Sequence, residues 1–309
     1  MRVVFLGSGS FAIPSLEALL AAGHEVVAVV TQPDRGKGRG RELTPPPLKP
    51  VAAARGLRLL QPRRVREPES VAALQALAPE VQVVVAYGQI LPRAVIDIAP
   101  RGTVNVHGSL LPRYRGAAPV QWAIVNGESE TGVTTMLIDE GLDTGPTLLA
   151  RATSIAEDET ADVLESRLAR IGGELLAETL EGLRSGTIVP QPQDPARATL
   201  APLIKKEDGL IDWGRAASVL ARRVRGFHPW PGAHTSVRGR GLKILRARGE
   251  MGPEGPPGTL LAIERDGLVV AAGEGTALRL LDVQPESRNP MPAAAFAAGA
   301  RLAPGERLG

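Results

Sequence analysis

A chain of 309 residues, 43% hydrophobic and 22% charged, is long enough for about two domains with a core that needs no staples. It has no cysteine, which excludes disulfides and thiolate metal sites, and no run near the roughly 18 apolar residues of a membrane span. No secretory leader precedes the first short apolar segment, so a cytoplasmic location and no metal are expected. The net charge of +3 is uneven. Residues from 201 onward carry 16 Lys and Arg against 11 Asp and Glu, and the first 200 carry 20 against 22. An anionic partner of the back half or simple compositional drift would both give that asymmetry.

Residues 2–6 (RVVFL) predict a buried strand, followed by the turn GSGS, a helix over 11–22 ending at Gly23, and a strand over 25–31. That is the opening of a parallel, doubly wound, Rossmann-like α/β sheet. Residues 32–47 (QPDRGKGRGRELTPPP) predict a long loop without structure of its own. Next come a helix at 48–55, a strand at 57–61, a helix at 69–78 and the β-branched strand 81–88. A strand at 103–107, a helix at 118–126, strands at 132–138 and 147–155 and an amphipathic helix at 159–185 complete a domain over 1–189. The proline-rich stretch 190–203 predicts a linker to a second domain over 204–309. That domain begins with a helix at 215–225 and the break FHPWPGA (227–233), expected as a packing corner. Short strands at 242–247, 259–264, 267–272 and 276–283 then predict a small β-barrel.

In TVNVH (103–107), side chains two apart share a face, so Thr103, Asn105 and His107 oppose Val104 and Val106. Both faces of a doubly wound sheet are normally apolar, and ligands collect at the C-terminal edge of its strands. A satisfied polar cluster at a strand end is the competing reading. IDEGLDTGP (138–146) follows the strand 132–138 and is expected at the same edge, offering Asp139, Glu140 and Asp143. An Asn–His–Asp set suits acyl transfer to an amine: the first two donate to an oxyanion, and the carboxylate takes up a proton or orients the His. No nucleophile elbow of the G-x-S-x-G type is present. GSGSFA (7–12) is a poor dinucleotide fingerprint, although Asp34 before a basic loop keeps an NADP-dependent oxidoreductase as an alternative. In RGKGRGR (35–41), cations interleaved with glycines suit closure on a polyanion, against the ordinary reading as a solvated surface loop.

NVHGSLLPRYRGAAPVQWAI together with GLDTG resembles the folate-dependent formyltransferases. TQPDRGKGRG and GFHPWPGA narrow the resemblance to members whose acceptor is a charged tRNA, and the likeness covers nearly the whole chain. Two small departures are Gly36-Lys37 in the basic loop and GSGSFA where others read GTPDFA. The resemblance implies a 10-formyltetrahydrofolate co-substrate and, as acceptor, the α-amino group of methionine on initiator methionyl-tRNA. It implies Asn105, His107 and Asp143 as the catalytic set. Folate contacts would come from the turn Ser109, Leu110, Leu111 and Pro112, from Gln89, Ile90 and Leu91, and from Asp139 and Glu140. Arg35, Lys37, Arg39 and Arg41 would meet the acceptor stem, with Lys205 and Lys206 as further tRNA contacts. The back half would be an OB-type barrel in a monomeric enzyme of translation initiation. A formyltransferase acting on a small-molecule amine, and a tRNA-binding protein with an inert catalytic half, remain alternatives.

Overall fold

The computed structural model describes residues 1–37, 42–252 and 255–309, which form two compact units. The first comprises Met1–Gly116, Glu130–Ser154 and Glu165–Ala201; the second comprises Ala117–Ser129, Ile155–Leu164 and Pro202–Gly309.

In chain order, β1 (Arg2–Gly7) is followed by α1 (Ile13–Ala21), β2 (Glu25–Val30), β3 (Arg35–Lys37) and β4 (Glu42–Thr44). Then come α2 (Leu48–Ala54), β5 (Leu59–Leu60), α3 (Pro68–Gln75), β6 (Val81–Val85), α4 (Arg93–Ile96) and β7 (Thr103–His107). β8 (Arg115–Gly116), α5 (Pro119–Val125), β9 (Glu130–Leu137), β10 (Thr147–Ser154) and α6 (Ala161–Ser185) follow. The remainder holds β11 (Leu200–Ala201), α7 (Ala217–Gly226), β12 (Ala233–Val237), β13 (Arg240–Met251) and β14 (Leu260–Glu264). It closes with β15 (Gly267–Ala271), β16 (Thr276–Pro285), β17 (Met291–Pro292) and α8 (Ala293–Ala300).

The first unit is built on a seven-stranded sheet of order β10-β9-β7-β6-β1-β2-β5. Its centre is parallel, and Val3 to Leu6 and Val81 to Val85 are buried because helices cover both faces. Its far edge departs from the expected all-parallel plan. β9 runs antiparallel to β7, and β10 antiparallel to β9. The stretch expected as a bare loop at 32–47 contains a two-stranded pairing, Arg35–Lys37 against Glu42–Thr44. There the backbone groups of two short segments satisfy one another.

Residues 190–201 do not hang free between domains. Thr147 and Gln191 exchange two backbone hydrogen bonds of 2.8 Å, and β11 pairs in parallel with β8. This stretch therefore belongs to the first unit, because its backbone and side-chain polar groups find partners there.

The second unit contains an antiparallel sheet of order β12-β13-β16-β15-β14, with β17 beside β16. α7 and α8 cover its core, where Leu220, Val224, Leu242, Ile244, Leu268 and Leu280 are buried. The edge strands are joined by one segment. The Leu260 amide donates to the Glu306 carbonyl (2.7 Å), the Leu308 amide to Gly258 (2.8 Å) and the Gly309 amide to Ser236 (3.0 Å). α5 also belongs here: Ala118 and Val125, with half-buried Trp122, pack on Ile204 and Phe227.

Candidate active site

β7 divides its polar residues by burial. Thr103, at its start, is spent on structure: its Oγ1 donates to the Ile96 carbonyl (2.8 Å) and accepts from Gln82 Nε2 (3.0 Å). Asn105 is half-buried, and among the described residues its amide has no hydrogen-bond partner. His107 ends the strand and is 6% exposed. Its Nε2–H donates to the Tyr114 carbonyl at 2.9 Å. That bond fixes one ring nitrogen as the donor and leaves Nδ1 to gain or lose a proton. Nδ1 stands 3.7 Å from Asp143 Oδ2.

Asp143 arrives by an unexpected route. Because β9 is antiparallel, its last residues lie beside Val104, and the Ile138 amide bonds to Thr103 (2.8 Å), at the opposite end of β7 from His107. The 138–146 loop therefore does not leave from the edge where His107 lies, as a parallel sheet would require. It folds back toward His107, and Asp143 takes a left-handed φ of +52°. The carboxylate Oδ2 accepts the Gly116 amide at 2.9 Å. Gly116 itself has φ +122°, and a Cβ there would lie 2.6 Å from the Ala201 carbonyl, so a side chain would part β8 from β11.

Gln193, a residue that sequence reasoning left inside a linker, fixes this loop. Its Nε2 donates to the carbonyls of Asp143 (2.8 Å) and Gly145 (2.7 Å). Its Oε1 accepts from Arg115 Nε (3.0 Å) and Nη2 (2.7 Å). Only its position among prolines distinguishes it in the sequence, and that signal pointed to a linker.

The expected folate residues all lie in the first unit. Ser109 is buried, its Oγ donating to the Arg113 carbonyl at 2.6 Å. Thr134 ties the turn by donating to the Ser109 carbonyl (2.7 Å) and accepting from the Leu111 amide (3.1 Å). Leu110, Leu111 and Pro112 are half-buried, with a cis bond before Pro112. Gln89 is half-buried and bound to the 62–65 segment: its Oε1 accepts the Val65 amide at 2.8 Å. Leu91 packs on the core that includes Tyr87, whose hydroxyl burial pushes up to about 12. Ile90 and Leu142 are 93% and 63% exposed, apolar surface that a flat ring system could cover. Asp139 accepts from the Gly141 amide (3.0 Å) and Thr144 Oγ1 (2.7 Å), shaping the loop, and Glu140 is exposed.

Residues 1–180 match the family described as Formyl transferase, and residues 203–301 match Formyl transferase, C-terminal domain. The chain belongs to the formyl transferase family. It is 54% identical over 310 residues to the methionyl-tRNA formyltransferase of Solibacter usitatus, covering 100% of this chain and 99% of that one. It is 52% identical to that of Citrifermentans bemidjiense, covering 100% and 96%. Its fold is similar to the N-formyltransferase of Helicobacter canadensis in complex with folinic acid and dTDP-3-aminofucose, with a TM-score of 0.67 at 18% identity, covering 91% of this chain and 99% of that one.

In this formyl transferase the expected tRNA cations fall in both units. Arg35 lies in the first unit and donates to Gln32 Oε1 at 2.9 Å. Lys37 contributes its backbone to β3; its side chain, and all of Arg39 and Arg41, lie outside the described residues. Lys205 and Lys206 are exposed in the second unit. Asp34, the residue that kept a dinucleotide reading open, is engaged elsewhere: Lys49 Nζ donates to both its oxygens at 2.8 Å and Gln61 Nε2 to one at 2.9 Å. The hydrogen bond from Lys49 holds its carboxyl below the usual range. Among the described residues, no group of three or more His, Asp and Glu could hold a metal ion, and no helix is long and apolar enough to cross a membrane.

Proposed function

We propose that this formyl transferase moves the formyl group of 10-formyltetrahydrofolate onto the α-amino group of methionine esterified to initiator tRNA. One observation carries the reading. The His107 Nδ1 and the Asp143 carboxylate stand 3.7 Å apart at the end of β7, the strand that carries the unpartnered Asn105 amide two residues earlier, in a chain about half identical, end to end, to methionyl-tRNA formyltransferases. Folate lies against the 109–112 turn, Ile90 and the 138–142 backbone, with its formyl carbon beside Asn105. An unperturbed α-amino group has a pKa of about 7.7–8.0, so a useful fraction is neutral and attacks that carbon. The Asn105 amide donates to the resulting oxyanion, and His107 can add a second donor only through Nδ1, because Nε2–H is held by Tyr114. The Asp143 carboxylate, 3.7 Å from Nδ1, offsets the positive charge of the ring when Nδ1 carries that donor proton. The pair can thus take the proton of the new ammonium and return it to the departing folate nitrogen.

The reading divides the labour between folate at the first unit and tRNA at the second, whose sheet with its joined edges is proposed as an OB-type barrel. It includes a monomer working in the cytoplasm, where initiator tRNA is charged, and the basic loop with Arg39 at the acceptor stem. Formylation of a charged tRNA pool, resolved by tRNA species, tests the acceptor. Asn105→Ala, His107→Ala and Asp143→Ala should each lower turnover about 10²-fold or more, with charged-tRNA affinity retained. Near-normal turnover in any one of them at saturating substrates removes that residue from the mechanism.

A further inference from the structure

The break FHPWPGA, expected as a packing corner, is only partly one. Phe227 is fully buried and Ala233 nearly so, but between them Trp230 is 58% exposed. A large aromatic held in solvent by a buried frame calls for an explanation. Trp230 lines a groove of about 580 Å³ in the second unit, together with Lys206, Lys243 and Arg288. Alternation places Lys243 on the outer face of β13, since Leu242 and Ile244 beside it are buried. Its directly paired neighbours, His234 on β12 and Gln284 on β16, share that face. Gln284 Nε2 donates to the Arg288 carbonyl at 2.9 Å and so holds the turn that carries Arg288.

Five arginines of this unit are ion-paired, and the three cations of the groove are among those that are not. Arg215, Arg238, Arg246, Arg248 and Arg279 are each matched by carboxylates at 2.7 to 3.3 Å. Among the described residues, none lies within ion-pair reach of Lys206, Lys243 or Arg288, and Glu286 is the one carboxylate lining the groove with them. An exposed indole sharing a groove with three unpaired cations matches a nucleotide: a base stacks on the ring while the flanking phosphates meet the cations. Paired bases hide their faces in the helix, so the chemistry selects an unpaired nucleotide.

We propose that Trp230 is a stacking platform for one unpaired nucleotide of the bound tRNA, with Lys206, Lys243 and Arg288 on its flanking phosphates. The site rests on the reading of tRNA as the acceptor and adds to it a specific contact with a base. Binding of purified initiator tRNA to the full-length chain is measured for wild type, Trp230→Ala, Trp230→Phe and Lys243→Ala, with a fully base-paired RNA hairpin as second probe. Trp230→Ala should weaken tRNA binding about 5- to 100-fold, and Trp230→Phe should restore most of it. Lys243→Ala should make the log–log salt slope shallower by about 0.7. Wild-type tryptophan emission should be quenched by tRNA, and Trp230→Phe should lose most of that quenching while keeping affinity, because Trp213 is buried and Trp122 is half-buried with its Nε1–H on the Pro202 carbonyl. Thermal melts of the same samples report that the variants are folded. The proposal is overturned if Trp230→Ala binds tRNA as wild type does, if Phe does not rescue, or if the paired hairpin loses as much affinity as the tRNA. A wild-type protein that binds no tRNA would instead overturn the reading beneath it.

Discussion

Gln193 shows how much one amide can fix. All of its side-chain hydrogen bonds go to the loop of Asp143 or to Arg115, which neighbours the Gly116 amide that binds the Asp143 carboxylate. A left-handed aspartate is costly, by roughly 1–2 kcal/mol, and persists only where its surroundings over-determine it. Gln193→Ala removes both donors to that loop. Turnover should fall about 10- to 100-fold, the scale of a sub-ångström to ångström misplacement, with the KM for folate and for tRNA little changed. Gln193→Glu keeps the acceptor for Arg115 but sets oxygens against two carbonyls, so it should be no better than Ala. Steady-state kinetics on both variants check this, and a raised KM with normal turnover would reduce Gln193 to a binding role.

Among the elements, α6 and β7 meet at a glycine. A Cβ on Gly172 would lie 2.8 Å from Val106 Cγ1, in the strand between Asn105 and His107. Valine is stiff about χ1, so the strand rather than the side chain must yield. Gly172→Ala should cost about 1–3 kcal/mol of stability and lower turnover by shifting the two residues that flank Val106. Urea unfolding and kinetics on one preparation test both. Much of this architecture is legible in the sequence, because hydrophobic runs and their glycine stops encode β1, β2, β6 and β7 directly. Asn105 and His107 sharing a face follows from period two alone. The direction of β9 is not encoded in its own alternation, and that is why the Asp143 loop was expected at the wrong end of the strand. α8, eight residues dominated by alanine, carries too little hydrophobic contrast to show a period, and β12 hides behind the prolines of the preceding break. Gln193 lay within the proline-rich stretch, because a strap and a linker share one composition. The catalytic reading of the three residues came from resemblance, which spacing alone does not supply.

At the scale of the molecule, both units depend on segments distant in sequence. Leu308 is buried and its segment bonds both edge strands of the second sheet. Deleting residues 305–309 should destabilise that unit by about 2 kcal/mol or more, from the leucine alone, while folate binding by the first unit persists. Thermal melts and folate titration separate the two effects, and an unchanged melt would show that the edges hold without this segment. The composition of the second unit has a further consequence, for synthesis. α5 is made early, but the residues that cover its apolar side, Ile204 and Phe227, come about 80 to 100 residues later. At 5–20 residues per second, a ribosome leaves Val125 and Trp122 uncovered for several seconds or more. The nascent chain thus passes through a window in which a half-made protein presents a sticky helix, and holdase chaperones would find it there.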